Sequence, residues 1–127
     1  MEKEEVVVKI MMQVINFAAN ELKHVDEDYK NKLQGLDEVI QWKVGDIAYY
    51  VEIKGGEIKG AFGTAPSPSF TFEFKDAEAA LGMFSGQLDI SDISKLGDKL
   101  KIIGDAKKIQ ELSFILLSVQ ENLGGLV

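Results

Sequence analysis

The chain has 127 residues, 46% apolar and 28% charged, with a formal charge of −7. That is the length of one domain with enough apolar side chains for a core, and the composition is unlike that of a disordered chain. All 14 basic residues are lysine and cysteine is absent, which sets aside Arg-forked nucleic-acid binding, disulfide scaffolds and thiolate or zinc chemistry.

The opening acidic stretch, followed by a helical period, differs from a basic secretory leader. Lys9, Gln13 and Asn16 break its apolar run, unlike a membrane span. The closing Gly-Gly-Leu-Val matches no peroxisomal or retention signal. A single cytoplasmic domain over 1–127 is the expectation.

Residues 5–23 read as a first helix. Val7, Met11, Val14, Ala18 and Leu22 recur three and four apart, the spacing of a core stripe. Val6, Ile10 and Phe17 widen the apolar arc, and Lys9, Gln13, Asn16 and Asn20 mark a narrow wet side. Asp26 is placed to cap a second, short helix with Tyr29 and Leu33 inward, ended by Gly35.

Three strands follow as an antiparallel meander. In 37–44, Ile40, Trp42 and Val44 alternate with Val39, Gln41 and Lys43. In 47–54, Ile47, Tyr49, Val51 and Ile53 share one side. Gly45-Asp46 and Gly55-Gly56 suit two-residue hairpin turns, and 57–62 is the third strand. Thr64 to Pro68 forms a stiff corner before a strand with Phe70, Phe72 and Phe74 on one side. Asp76 caps a helix carrying Ala80, Leu81, Met83 and Phe84. Residues 87–98 are irregular or weakly helical, with Leu88, Ile90, Ile93 and Leu96 on one side. Asp98 to Ile103 is the last strand, with Leu100 and Ile102 inward. The C-terminal helix bears Ile109, Leu112, Leu116, Val119 and Leu123 as a stripe, widened by Ile115, with Phe114 and Leu117 nearly opposite. Five strands and four or five helices make an α+β fold, a mostly antiparallel sheet with helices over one face.

Chemistry is hard to place on this chain. His24 is the lone histidine and falls on a polar helix face. Ser85, Ser91 and Ser94 lack a histidine to activate them and a nucleophile elbow. The glycines from 55 to 63 lie between strands with no following Lys-Ser/Thr, so they are turn glycines and not a phosphate loop. Asp89, Asp92 and Asp98 lack calcium-loop spacing. No catalytic residue, metal or cofactor is assigned, and only Tyr49 has a hydroxyl worth watching for chemistry.

Apolar side chains are in surplus. Phe72, Phe74, Leu81, Met83, Phe84, Leu88, Ile90 and Ile93 exceed what one small sheet face needs. Leu96, Leu100, Ile102, Leu112, Phe114, Ile115 and Leu116 add to them. A cavity lined by such groups binds by area removed from water, roughly 25 cal/mol per Å². All of these residues are candidates for contacting a lipid.

Asp46 to Lys54 followed by Gly55-Gly56 resembles the central hairpin of sterol carrier protein 2 domains, the non-specific lipid-transfer family. Ala65 to Phe72, Ser85 to Asp89, and Leu100 to Asp105 resemble the family's next segments, in order and spacing, over most of 37–120. Ser69, Ile90 and the early Gly97 depart from the family pattern. The resemblance implies a lipid tunnel between sheet and helices, which in the family holds fatty acid, fatty acyl-CoA, sterol or phospholipid; an isoprenoid-like chain is a further candidate ligand here. An acyl-CoA head group would need cations at the tunnel mouth; Lys99, Lys101, Lys107 and Lys108 near the final turn are candidates, with a solvated basic patch as the alternative.

The expectation is therefore a soluble, non-catalytic lipid carrier. Its expected partners are a long-chain lipid, a membrane surface met transiently, and a second copy or partner enzyme at the C-terminal helix. The alternative is an accessory module of the same fold with a filled core, assisting a lipid-metabolising enzyme.

Overall fold

The computed structural model describes residues 3–84, 99–104 and 106–123. Within them lie α1 (Lys3–Glu21), a 3-10 turn (Leu22–His24), α2 (Glu27–Gln34), β1 (Asp37–Val44), β2 (Ile47–Lys54) and β3 (Glu57–Phe62). Then come β4 (Phe70–Phe74), α3 (Ala77–Phe84), β5 (Leu100–Gly104) and α4 (Ala106–Leu123). The five strands form one mixed sheet in the order β3-β2-β1-β4-β5. This is the expected α+β architecture.

The hairpins behave as their sequences require. Gly45, Gly55 and Gly56 have positive φ values of 59°, 60° and 79°, the region that primed turns need and that glycine enters without steric cost. They lock the register so that Tyr49 pairs with Trp42 and with Phe62. Side-chain alternation then builds a single inward face. It carries Ile40 and Val44 from β1, Tyr49, Val51 and Ile53 from β2, Ile58 from β3, and Phe70, Phe72 and Phe74 from β4, all buried.

β4 does not extend the meander. It returns parallel to β1, with Phe70 beside Ile40 and Phe72 beside Trp42, and β5 then pairs antiparallel to β4. Gln41 sets this crossover. Its alternation places it on the outer face, where the sequence implies solvent, yet it is only 1% exposed. Its Nε2 donates to Tyr49 O (3.3 Å) and Gly63 O (3.1 Å), and its Oε1 accepts from Ala65 N (2.7 Å). A buried amide with its partners in place acts as a backbone surrogate for a segment that has no strand to pair with. The corner after β3 folds over the outer face onto Gln41, so that face is not uniformly wet.

α1 differs from expectation in its rotation. Val8, Met12 and Ala19 are buried, whereas Val14 of the expected stripe is 44% exposed. Val6, Ile10 and Phe17 also face out, Phe17 at 68%. The supposed wet side explains the turn. Asn20 Oδ1 accepts from Ile58 N (2.9 Å), and Lys23 reaches Glu57 (2.7 Å). Lys9 Nζ lies over the Phe62 ring, 5.1 Å from its centroid. Edge strand β3 offers unpaired backbone groups and a carboxylate, so the polar side of α1 turns toward it.

The second helix follows its caps. Asp26 Oδ1 accepts from Tyr29 N (3.1 Å), and the buried Tyr29 hydroxyl donates to Ala19 O on α1. Burial, then the nearby Asp26 charge, pushes that hydroxyl well above the usual tyrosine range. The last strand begins at Leu100, two residues later than expected; Lys99 O instead accepts from Lys75 N (2.9 Å).

Candidate functional site

An apolar cavity of about 80 Å³ lies between the inward sheet face and two helices. Met12, Ile15, Asn16 and Ala19 line it from α1. The sheet contributes Ile40, Trp42, Tyr49, Val51, Ile53, Ile58, Phe70 and Phe72. α4 contributes Ile109, Leu112, Ser113, Ile115 and Leu116. No lysine, aspartate or glutamate is among these residues.

Aromatic packing makes the floor rigid. Trp42 stacks on Phe72 at 4.6 Å between centroids and 27° between planes. Phe70 meets Phe72 edge-on at 5.0 Å, and Tyr49 meets Phe62 edge-on at 4.9 Å. Such offset and edge-to-face contacts hold rings beyond what area burial alone does. α4 is tied over the floor at both ends. Lys108 Nζ lies 2.6 Å from Glu38 Oε1 of β1, and Gln120 Nε2 donates to Met83 O of α3 (2.8 Å).

The sequence-derived lipid contacts divide into three groups. Phe72, Leu112, Ile115 and Leu116 meet at the cavity. Phe74, Met83 and Leu100 are buried in core away from it, and Leu81, Ile102 and Phe114 pack partly buried against that core. Leu88, Ile90, Ile93 and Leu96, with the Phe84 side chain, lie outside the described residues. Phe114 is not an outward patch: it meets the Tyr29 ring edge-on at 5.5 Å, with Lys32 Nζ 5.6 Å from its centroid. Leu117 is 45% exposed. Lys99, Lys101 and Lys107 are exposed and do not line the cavity, and Lys108 is bound to Glu38.

Sequence reasoning missed the α1 lining and the first-hairpin lining as a site, although their alternation was visible. It singled out the Tyr49 hydroxyl but missed the polar end that Tyr49 forms with Asn16. There Asn16 and Tyr49 approach Gly60 of β3 so closely that a methyl at Gly60 would sit 2.7 Å from Asn16 Nδ2 and 2.6 Å from Tyr49 Cζ. Burial raises the Tyr49 hydroxyl above its ordinary pKa, so it is neutral there. Among the described residues no cluster of His, Asp or Glu is placed to hold a metal. No helix among them is long and apolar enough to cross a membrane.

The mixed five-stranded sheet with its helices matches the fold of solved sterol carrier protein 2 structures. The family model of the SCP-2 sterol transfer family matches residues 19–117, and the chain belongs to that family. A ubiquinone synthesis protein, UbiJ-SCP2, superposes with a TM-score of 0.63 at 13% identity, over 95% of this chain and 97% of that one. Palmitated SCP2L2 from Aedes aegypti superposes with a TM-score of 0.60 at 22% identity, over 84% of this chain and 90% of that one. The sec-alkylsulfatase Pisa1 from Pseudomonas sp. matches at TM-score 0.54 and 20% identity, over 68% of this chain. This chain spans only 13% of that enzyme's length. At these identities the likeness is one of fold. No curated protein matches the chain.

Proposed function

We propose that residues 1–127 act as one lipid-binding domain that holds an acyl-chain lipid beneath α1 and α4 and carries it without chemistry. The observation behind this is the apolar, uncharged cavity over an aromatic floor in a chain of the SCP-2 family. Phe72, Leu112, Ile115 and Leu116 are the contacts assigned to the lipid, joined by Trp42, Phe70 and Met12. Each methylene buried there contributes roughly 0.8 kcal/mol, and the site discriminates chain length weakly. A cytoplasmic carrier of fatty acid, acyl-CoA, sterol or an isoprenoid-like chain fits this chemistry.

The cavity volume, about 80 Å³, is smaller than the ~150 Å³ that accepts benzene in an engineered core. A whole lipid chain needs more room than that. The same volume favours one second reading, an accessory module with a filled interior. Native mass spectrometry after gentle purification separates the two, together with displacement of a fluorescent lipid probe. A co-purifying lipid and saturable displacement support the carrier. Absence of both sinks it and leaves the module.

A further inference from the structure

Ser113 at the α4 side of the cavity donates its hydroxyl to Gln110 O, whereas the opposite end holds a polar group with no such partner. Asn16 on α1 and Tyr49 on β2 both line it, and both crowd the Cα of Gly60 from the inward side. Asn16 Oδ1 is buried with no hydrogen-bond partner. Buried polar atoms in native interiors are nearly all paired, and an orphan costs about 1–3 kcal/mol. Turning the amide over would only exchange its ends, leaving the –NH2 group in the orphaned place.

A group that both donates and accepts satisfies that place in either amide orientation, and a hydroxyl is such a group. A carboxylate only accepts, and no lining residue carries a charge to offset it. Burying it there would leave its charge uncompensated. Neither lysine on this side of α1 lines the cavity: Lys9 lies over Phe62, the ring packed against Tyr49, and Lys23 is bound to Asn20, Gly56 O and Glu57.

Building on the lipid-carrier reading, we propose that Asn16 and Tyr49 form a head-group site for a neutral lipid hydroxyl, as on a long-chain alcohol, in preference to a carboxylate. The chain then runs from the Gly60 edge along Val51, Ile40 and Phe70 toward α4. Gly60 belongs to the site because a side chain there would occupy the space that Tyr49 and Asn16 share.

The test compares dodecanol with dodecanoate at pH 8 as competitors for a fluorescent neutral lipid probe, in the wild type, Asn16→Leu and Tyr49→Phe. The expected result is a preference for the alcohol of about fivefold, the factor one ordinary hydrogen bond supplies. Asn16→Leu removes the preference and Tyr49→Phe reduces it, with both competitors measured against each variant's own probe affinity. With the orphan gone, Asn16→Leu also melts above the wild type when lipid-free. Equal binding of both competitors, or a preference unchanged in Asn16→Leu, overturns the head-group site and leaves the carrier reading standing. Failure of the wild type to bind the probe or either competitor overturns both.

Discussion

Replacing Gly60 by alanine probes the tightest point of the site. The new methyl would lie 2.6 Å from Tyr49 Cζ and 2.7 Å from Asn16 Nδ2, well inside the 3.5–4.0 Å of an ordinary carbon contact. Tyr49 has little freedom to yield, being 3% exposed and held edge-on by Phe62. Its escape is into the cavity. Overpacking of this kind costs about 1–3 kcal/mol. Unfolding entropy near 2.1 cal/mol/K per residue, over a chain of this length, turns that into a drop in Tm of about 4–11 °C. A glycine with open space around it behaves oppositely: alanine there raises stability by about 0.4–1 kcal/mol. The sign of the Tm shift, read by calorimetry on lipid-free protein, therefore decides. A rise, or no change, would refute the crowding of Tyr49 and Asn16 at this strand. Lipid-probe affinity should fall together with Tm, because the displaced ring fills the space the probe uses.

Gln41→Leu leaves Gly63 O and Ala65 N without their partner, and urea unfolding should show a loss of at least about 1–3 kcal/mol. Retention of wild-type stability would mean that the corner does not depend on this amide. Leu116→Trp adds an indole at the cavity wall; lipid uptake should fall by a larger factor than stability, whereas equal losses in displacement and melting assays would mark an ordinary core position. Tyr29 and Tyr49 both have hydroxyls whose folded-state pKa is raised by burial. Their contribution is fully present below the unfolded-state pKa of about 10 and is lost as pH rises through the folded values. Stability should thus decline above that pH, and Tyr29→Phe and Tyr49→Phe should each flatten the decline by one proton in denaturant titrations. An unchanged alkaline slope in both variants would contradict their burial.

Much of the fold was legible because strands announce themselves locally. Ile47, Tyr49, Val51 and Ile53 alternate cleanly, and Gly55-Gly56 fixes the turn that follows. The caps at Asp26 and Asp76 were equally readable; Asp76 Oδ1 accepts from Ala79 N as a capping residue should. What was hidden depends on partners distant in sequence. Gln41 reads as solvated until a corner more than twenty residues later lands on it. Asn16 and Asn20 read as the wet side of α1, because periodicity reports amphipathicity and not which polar groups a neighbouring strand edge needs. The site was half legible for the same reason. Leu112, Ile115 and Leu116 followed from the breadth of the helix stripe, whereas Asn16, Tyr49 and Gly60 converge only once β3 lies beside α1.

The parallel pairing of β1 with β4 governs how the molecule is made. β1 is the first strand synthesised yet lies in the middle of the sheet. The two hairpins close locally, on the microsecond scale of such elements. The other flank of β1 must wait for residues 70–74 to emerge, after the corner that precedes them has crossed the outer face. During that interval a nascent chain displays an open strand edge in its centre, the kind of surface that invites pairing with another chain. Gln41 sits on that strand and captures the corner that must cross first, so the residue that finishes the outer face also stands where the wait for β4 ends.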